Sequence, residues 1–280
     1  MSSFARILLL STLLLALPGI GSGSLFAPSA ELWERWTAND PASGARVDHA
    51  AWDGLLAQYL EPHASGANRF DYGGLATSRT ERAALSAYLG RLSATPVSSL
   101  NRDEQMAFWI NLYNALTVMV VADHYPVASI RDIDISPGLF STGPWDAELI
   151  EVEGEALTLN DIEHRILRPI WRDPRVHYAV NCASVGCPDL KPSAWAADTM
   201  DADLDAAARA YVNDPRGVRI DGDSVVVSSI YDWFVDDFGG SETTVLAHLK
   251  AHAEPPLAAE LGRIGRIDDT GYDWRLNNLR

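Results

Sequence analysis

The sequence predicts an α+β protein, with helices packed around a small, mainly antiparallel sheet. Three observations lead there. Hydrophobic residues make up 47% and charged residues 21% of the 280 residues, a globular composition that excludes wholesale disorder and rod-like chains. Several long stretches carry apolar residues at helical spacing. Short apolar stretches elsewhere are split by turn signals such as Asp221-Gly222.

Residues 1–24 are expected to be a secretory signal peptide. Arg6 precedes an apolar run from Ile7 to Leu17, broken only by Ser11 and Thr12, and small residues follow Ile20. That run of 11 residues is too short to cross a bilayer core of ~30 Å. Cleavage is expected between Gly21 and Ala30. No cysteine lies here for an N-terminal lipid anchor, so the expected location is periplasmic or secreted.

Residues 25–100 form the expected N-terminal helical region. Trp33 and Trp36 mark a packed arm. Ala51, Leu55, Tyr59 and Leu60 follow Asp48 at helical spacing, and Pro62 stops the run. Ser78 to Leu92 is a second helix, with Leu85, Leu89 and Leu92 on one face.

Residues 101–280 form the expected core region. Asn101 with Glu104 is a capping-box pattern opening a helix to about His124, apolar on all sides and therefore central. Asp132 to Ile135 alternates like a half-exposed strand. Gly154 separates two hairpin strands, and Asn160 with Glu163 repeats the capping box before a helix through Leu167. Val176 to Asn181 is a buried-strand candidate. Ala202 to Val212 is helical, a hairpin surrounds Asp221-Gly222, Tyr231 to Phe238 and Thr243 to Ala253 are helices, and Ile264 to Ile267 is a strand.

Net charge is -16, from 22 basic and 38 acidic residues. So acidic a chain has no electrostatic route to phosphate backbones, which excludes nucleic acid as a partner, and an anionic membrane surface repels it. No second apolar stretch approaches a membrane span, so none is expected after signal cleavage. The expected partner is a small molecule or a peptide. Signatures for nucleotide phosphates, dinucleotides, calcium loops and serine hydrolases are absent, and neither cofactor nor metal is expected.

Several ordered motifs resemble one family. They are Ala107-Phe108-Trp109-Ile110-Asn111-Leu112-Tyr113-Asn114-Ala115-Leu116, then Leu159-Asn160-Asp161-Ile162-Glu163-His164, then Asp173-Pro174-Arg175-Val176-His177-Tyr178-Ala179-Val180-Asn181-Cys182 continuing to Cys187-Pro188. With Asn213-Asp214-Pro215-Arg216-Gly217 and Tyr272-Asp273-Trp274, they resemble the bacterial and plant family called domain of unknown function 547, from about Asn101 to Asn277. The resemblance implies an envelope protein where a signal peptide is present. A further similarity, to papain-like thiol hydrolases, implies a papain-like variant of the α+β fold and a cysteine nucleophile.

Candidate site residues fall inside those segments. Cys182 and Cys187 are the only cysteines. In an exported protein they form either a disulfide staple or the source of a nucleophile, with a two-thiol zinc site as a third choice. A thiolate needs a base, and His164, on a separate element, is the expected base for Cys182. On a strand His177 would share a face with Asn181 and not with Cys182, so it is paired instead with Cys187. That arrangement places His164 before Cys182 in the chain, the reverse of the papain-like order. Asn111 and Asn114 lie three residues apart on the apolar helix. They either orient an imidazole and donate to an oxyanion or tie the helix to a neighbouring loop. The function expected is a thiol-dependent hydrolase or transferase on amide or thioester bonds. The alternative is a non-enzymatic envelope binding domain with a structural Cys182–Cys187 disulfide.

Overall fold

The structure, a computed structural model, describes residues 28–63, 66–138 and 142–279. The expected signal peptide lies outside the described residues. The elements are helices α1 (Ala50–Tyr59), α2 (Tyr72–Thr77), α3 (Arg79–Ser93), α4 (Arg102–His124), α5 (Arg168–Trp171), α6 (Met200–Val212), α7 (Ile230–Trp233), α8 (Glu242–His252) and α9 (Pro255–Ile264). Seven short strands join them: β1 (Leu60–Glu61), β2 (Arg69–Phe70), β3 (Ile150–Val152), β4 (Glu155–Leu157), β5 (Val218–Asp221), β6 (Ser224–Ser228) and β7 (Asp269–Gly271). β1–β2, β3–β4 and β5–β6 pair antiparallel, and β7 adds to β6 in parallel, with Val227 opposite Thr270. The fold is α+β, with small sheets set among helices.

α4 is the axis of the larger core. Its residues from Glu104 to Val118 are all buried, because the chain wraps it on every side. Against the expectation that no second stretch approaches a membrane span, this helix is long and apolar enough to cross one, but here that surface faces the protein interior. Asn101 caps it, accepting from the Glu104 amide at 3.0 Å. The reciprocal half of the box is missing, since the Glu104 carboxylate accepts instead from the Val47 amide at 2.7 Å and holds the N-terminal arm. A smaller core gathers α6, α8 and the β5–β6 hairpin around Tyr178, Tyr211 and Leu249.

Four expectations change. Val176 to Asn181 is no strand: Pro174–Tyr178 is a 3₁₀ helix. Pro174 is preset for a helical first turn, and the Asp173 side chain caps it by accepting from the Arg175 amide. Asp132 to Ile135 is not extended either. Ser129 and Asp132 form a capping box around the 3₁₀ turn Ile130–Asp132. The strand expected at Ile264 to Ile267 gives way to α9, which ends at Gly265 with φ 71°, and the strand follows at β7. Tyr231 to Phe238 holds only the short α7, then turns.

The segment after β4 departs from a plain α-helix. Thr158 and Asp161 cap each other there, whereas Asn160 makes no cap, so the expected box is displaced by two residues. Asp161–Leu167 is a π-helix, with the Arg168 amide donating to the Glu163 carbonyl. Pro169 has no N–H to offer the His164 carbonyl five residues back. The N-terminal arm fills the vacancy. Glu31 N–H donates to the His164 carbonyl and Trp33 N–H to the Arg165 carbonyl, both at 3.0 Å.

Candidate functional site

A cleft of about 510 Å³ opens where the two cores meet. Its lining includes Cys182, Cys187, Glu163, His164, His177 and Tyr272. Tyr113 of α4 contributes from the larger core, and Phe234, just beyond α7, from the smaller.

The cysteine loop is held from two sides. On the inner side, Asn114 offers both ends of its carboxamide to backbone: Nδ2 donates to the Ala179 carbonyl at 2.9 Å, and Oδ1 accepts from the Asn181 amide at 2.8 Å. Asn181 continues inward, donating to the Pro188 carbonyl at 2.7 Å and accepting from the Ala183 amide at 2.9 Å. On the outer side, the C-terminal segment pairs with the loop. Val185 N–H donates to the Arg275 carbonyl and Gly186 N–H to the Asp273 carbonyl, each at 2.8 Å. A Cβ on Gly186 would stand 2.7 Å from the Asp273 nitrogen, so only glycine allows this approach. The pairing delivers Tyr272 to the loop. Ala183, next to Cys182, is held at φ 57°, a left-handed conformation costly for alanine.

Cys182 is partly exposed and Cys187 is buried; both thiols are free. Cys182 Sγ lies 3.0 Å from Cys187 Sγ, 2.9 Å from the Tyr272 hydroxyl and 3.2 Å from Ser184 Oγ. Ser184 Oγ lies 3.0 Å from the Tyr272 oxygen as well, so the two hydroxyls and the sulfur form a closed triangle. Hydrogen bonds, first from Cys187 and then from Ser184 and Tyr272, outweigh burial and lower the Cys182 pKa. Burial and the neighbouring Cys182 raise that of Cys187. The pair is therefore polarised, with Cys182, the more accessible sulfur, the readier of the two to ionise.

The opposite wall is polar. Glu163 Oε1 lies 3.8 Å from His177 Nδ1 and 3.9 Å from His164 Nδ1. His177 Nε2 is 2.6 Å from Asp237 Oδ2, and the ring stacks on Phe234 at 4.4 Å. Arg168 Nε donates to the same Asp237 oxygen at 2.5 Å. Its Nη1 donates to His164 Nδ1 at 2.9 Å and to the Pro28 carbonyl at 2.7 Å. Burial pushes the Asp237 pKa up, but hydrogen bonds from His177 and Arg168 prevail and hold it at about 2. Burial, together with the Arg168 charge and against the pull of Glu163, lowers His164 to about 4. His164 is thus neutral, with Nδ1 filled by Arg168 and the proton on Nε2.

The structure gathers four of the six sequence candidates, Cys182, Cys187, His164 and His177, around one cleft. It does not bring either imidazole into hydrogen-bond contact with a cysteine; the Cys182 sulfur contacts Cys187, Ser184 and Tyr272 instead. The reasoning that set His177 on the face away from Cys182 fails with the strand it assumed. Asn111 and Asn114 lie below the site. Asn111 pairs with both the amide and the carbonyl of Trp195, at 2.9 and 2.8 Å, as Asn114 pairs with the cysteine loop. Arg168, Asp237, Tyr113 and Ser184 are additions. In the sequence Arg168 stands in a familial run, Ile166-Leu167-Arg168, with nothing to show its partners, and Asp237 belongs to no local pattern.

The fold and the site define an α+β protein with a polarised thiol pair facing a carboxylate–imidazole wall. Residues 97–212 match the family described as protein of unknown function, DUF547, which supports the resemblance drawn from the motifs. The matched stretch holds Tyr113, Glu163, His177 and both cysteines; Asp237 and Tyr272 lie beyond it. No curated protein and no solved structure matches the chain.

Proposed function

We propose that the protein is a thiol-dependent hydrolase or transferase acting on amide or thioester bonds, with Cys182 as the nucleophile. One observation carries this reading: the accessible sulfur of a polarised thiol pair lies in a cleft that also holds a carboxylate-paired imidazole. Cys182 passes its thiol proton through solvent in the cleft to His177, and its sulfur attacks the carbonyl carbon of the substrate. The tetrahedral adduct collapses to a thioester as the leaving amine or thiol departs with a proton from His177. His177 then deprotonates water or an acceptor nucleophile, which attacks the thioester and returns the sulfur to its starting state. Asp237 stabilises the imidazolium formed in passing, and Glu163 fixes the other edge of the ring. The distance between sulfur and imidazole is bridged by the substrate. A periplasmic or secreted location is part of the proposal, on the strength of the sequence of residues 1–24.

The test uses mature protein and p-nitrophenyl acetate. A stoichiometric burst of nitrophenol is expected from the parent protein and from Cys187→Ser, and no burst from Cys182→Ser. A burst of equal size in Cys182→Ser overturns the assignment.

A further inference from the structure

We propose that Arg131 and the indoles beside it form a subsite for a carboxylate-bearing substrate with an apolar or aromatic body. The inference rests on the thiol-enzyme reading of the same cleft and adds the class of molecule it takes. Arg131 is the only lysine or arginine among the cleft-lining residues. Its guanidinium lies over the Trp274 ring at 5.3 Å and is exposed. Among the described residues it makes no ion pair, in a chain where acidic residues outnumber basic ones 38 to 22. Two acidic groups near it in sequence or on the same rim are engaged elsewhere, and none pairs with it. Asp132 accepts from the Ser129 amide at 2.9 Å, Asp146 accepts from Asn160 at 2.5 Å, and Asp134 forms no ion pair with Arg131.

The wall beneath the guanidinium is aromatic. Trp274 stacks on Trp233 at 5.6 Å, and Tyr272 meets Trp274 at 4.7 Å and Trp233 at 4.9 Å. Tyr272 also touches the Cys182 sulfur, so this wall runs from the cationic rim to the proposed nucleophile. A ligand along it presents an anionic group to Arg131, rests an apolar body on the rings and brings its carbonyl to the sulfur. Bidentate geometry makes a carboxylate the natural partner of a planar guanidinium set over an indole.

The probes are N-acetylphenylalanine and N-acetylphenylalaninamide, which differ only in the carboxylate, titrated against the mature protein by calorimetry. The expected result is about tenfold tighter binding of the carboxylate, the scale of a charge-assisted pair. Arg131→Gln is expected to abolish the preference and Arg131→Lys to keep part of it. Equal binding of both probes by the parent protein, or a preference that survives Arg131→Gln, overturns the subsite. Cys182→Ser is expected to keep the preference, since the sulfur does not read the carboxylate. A preserved preference with no burst that depends on Cys182 would overturn the thiol reading and leave the subsite standing. A burst that depends on Cys182 without the preference would do the reverse.

Discussion

Asp237→Asn is the most informative single change, because Asp237 connects Arg168 to His177. The substitution keeps the shape and removes the charge. Arg168 has a side chain only 4% exposed, and its Nε faces that carboxylate at 2.5 Å. Removing one member of a buried pair costs about 3–5 kcal/mol, since the other charge stays buried. The asparagine oxygen can still accept from Arg168, and Arg168 keeps its bonds to Pro28 and His164, so a loss near the lower end, ~3 kcal/mol, is expected at pH 7. Part of that loss depends on pH. A carboxyl held at about 2 against its ordinary 3.8 favours folding by roughly 1–2 kcal/mol once solvent screening at its open edge is discounted. That contribution is full above the unfolded value of 3.8 and disappears as pH falls through about 2. The gap between parent and variant should therefore be constant from pH 7 to about 5 and narrow below 3.8. Urea unfolding followed by tryptophan fluorescence at pH 7, 5 and 3 measures it. A gap under about 1 kcal/mol at pH 7, or one that does not narrow in acid, refutes the reasoning.

Three further outcomes are expected. His164, neutral in the fold at about 4 and ordinary at 6.5 when unfolded, supports stability fully above pH 6.5 and withdraws it as pH falls towards 4; His164→Gln should flatten that decline in urea titrations, leaving the part due to His248, also lowered to about 4. Asn114→Ala strands the Ala179 carbonyl and the Asn181 amide, both buried, and should cost about 3 kcal/mol in urea unfolding; a loss below about 1 kcal/mol would mean that the loop holds itself. Gly186→Ala forces the Asp273 backbone away and Tyr272 with it; the Cys182 thiol should then titrate nearer its ordinary value, read from the pH profile of iodoacetamide alkylation, and an unmoved profile would show that Tyr272 does not tune the sulfur.

What was legible in the sequence was local. α4, α6 and the β5–β6 hairpin follow from periodicity and from Asp221-Gly222, because neighbours along the chain decide them. The Asn101 cap is of the same kind. The failures have local competitors that periodicity overlooks. Asp173 and Pro174 turn an apolar run into a 3₁₀ helix. α9 was missed because it starts with two prolines, although both are tolerated in a first turn, and its Leu257, Leu261 and Ile264 recur at helical spacing. At the site, the cysteines and histidines stood out by type. Tyr272 meets Cys182 across 90 residues, and Asp237 meets His177 across 60. No spacing rule reaches that far.

Pro169 shows how one residue joins the N-terminal arm to the chemistry. By withholding an N–H it leaves the His164 carbonyl open, and Glu31 fills it. The arm thereby runs over the π-helix, where Trp33 lies against Arg165 at 4.3 Å and the Pro28 carbonyl receives Arg168. The same Arg168 fixes the His164 tautomer and draws down Asp237, which in turn holds His177. The π-helix carries both Glu163 and His164 to the cleft wall. The arm, which lies outside the family match that begins at residue 97, is therefore part of what sets the protonation of the cleft. A domain trimmed to the matched residues would lose Pro28 and Glu31 from one side of the site, and Asp237 and Tyr272 from the other.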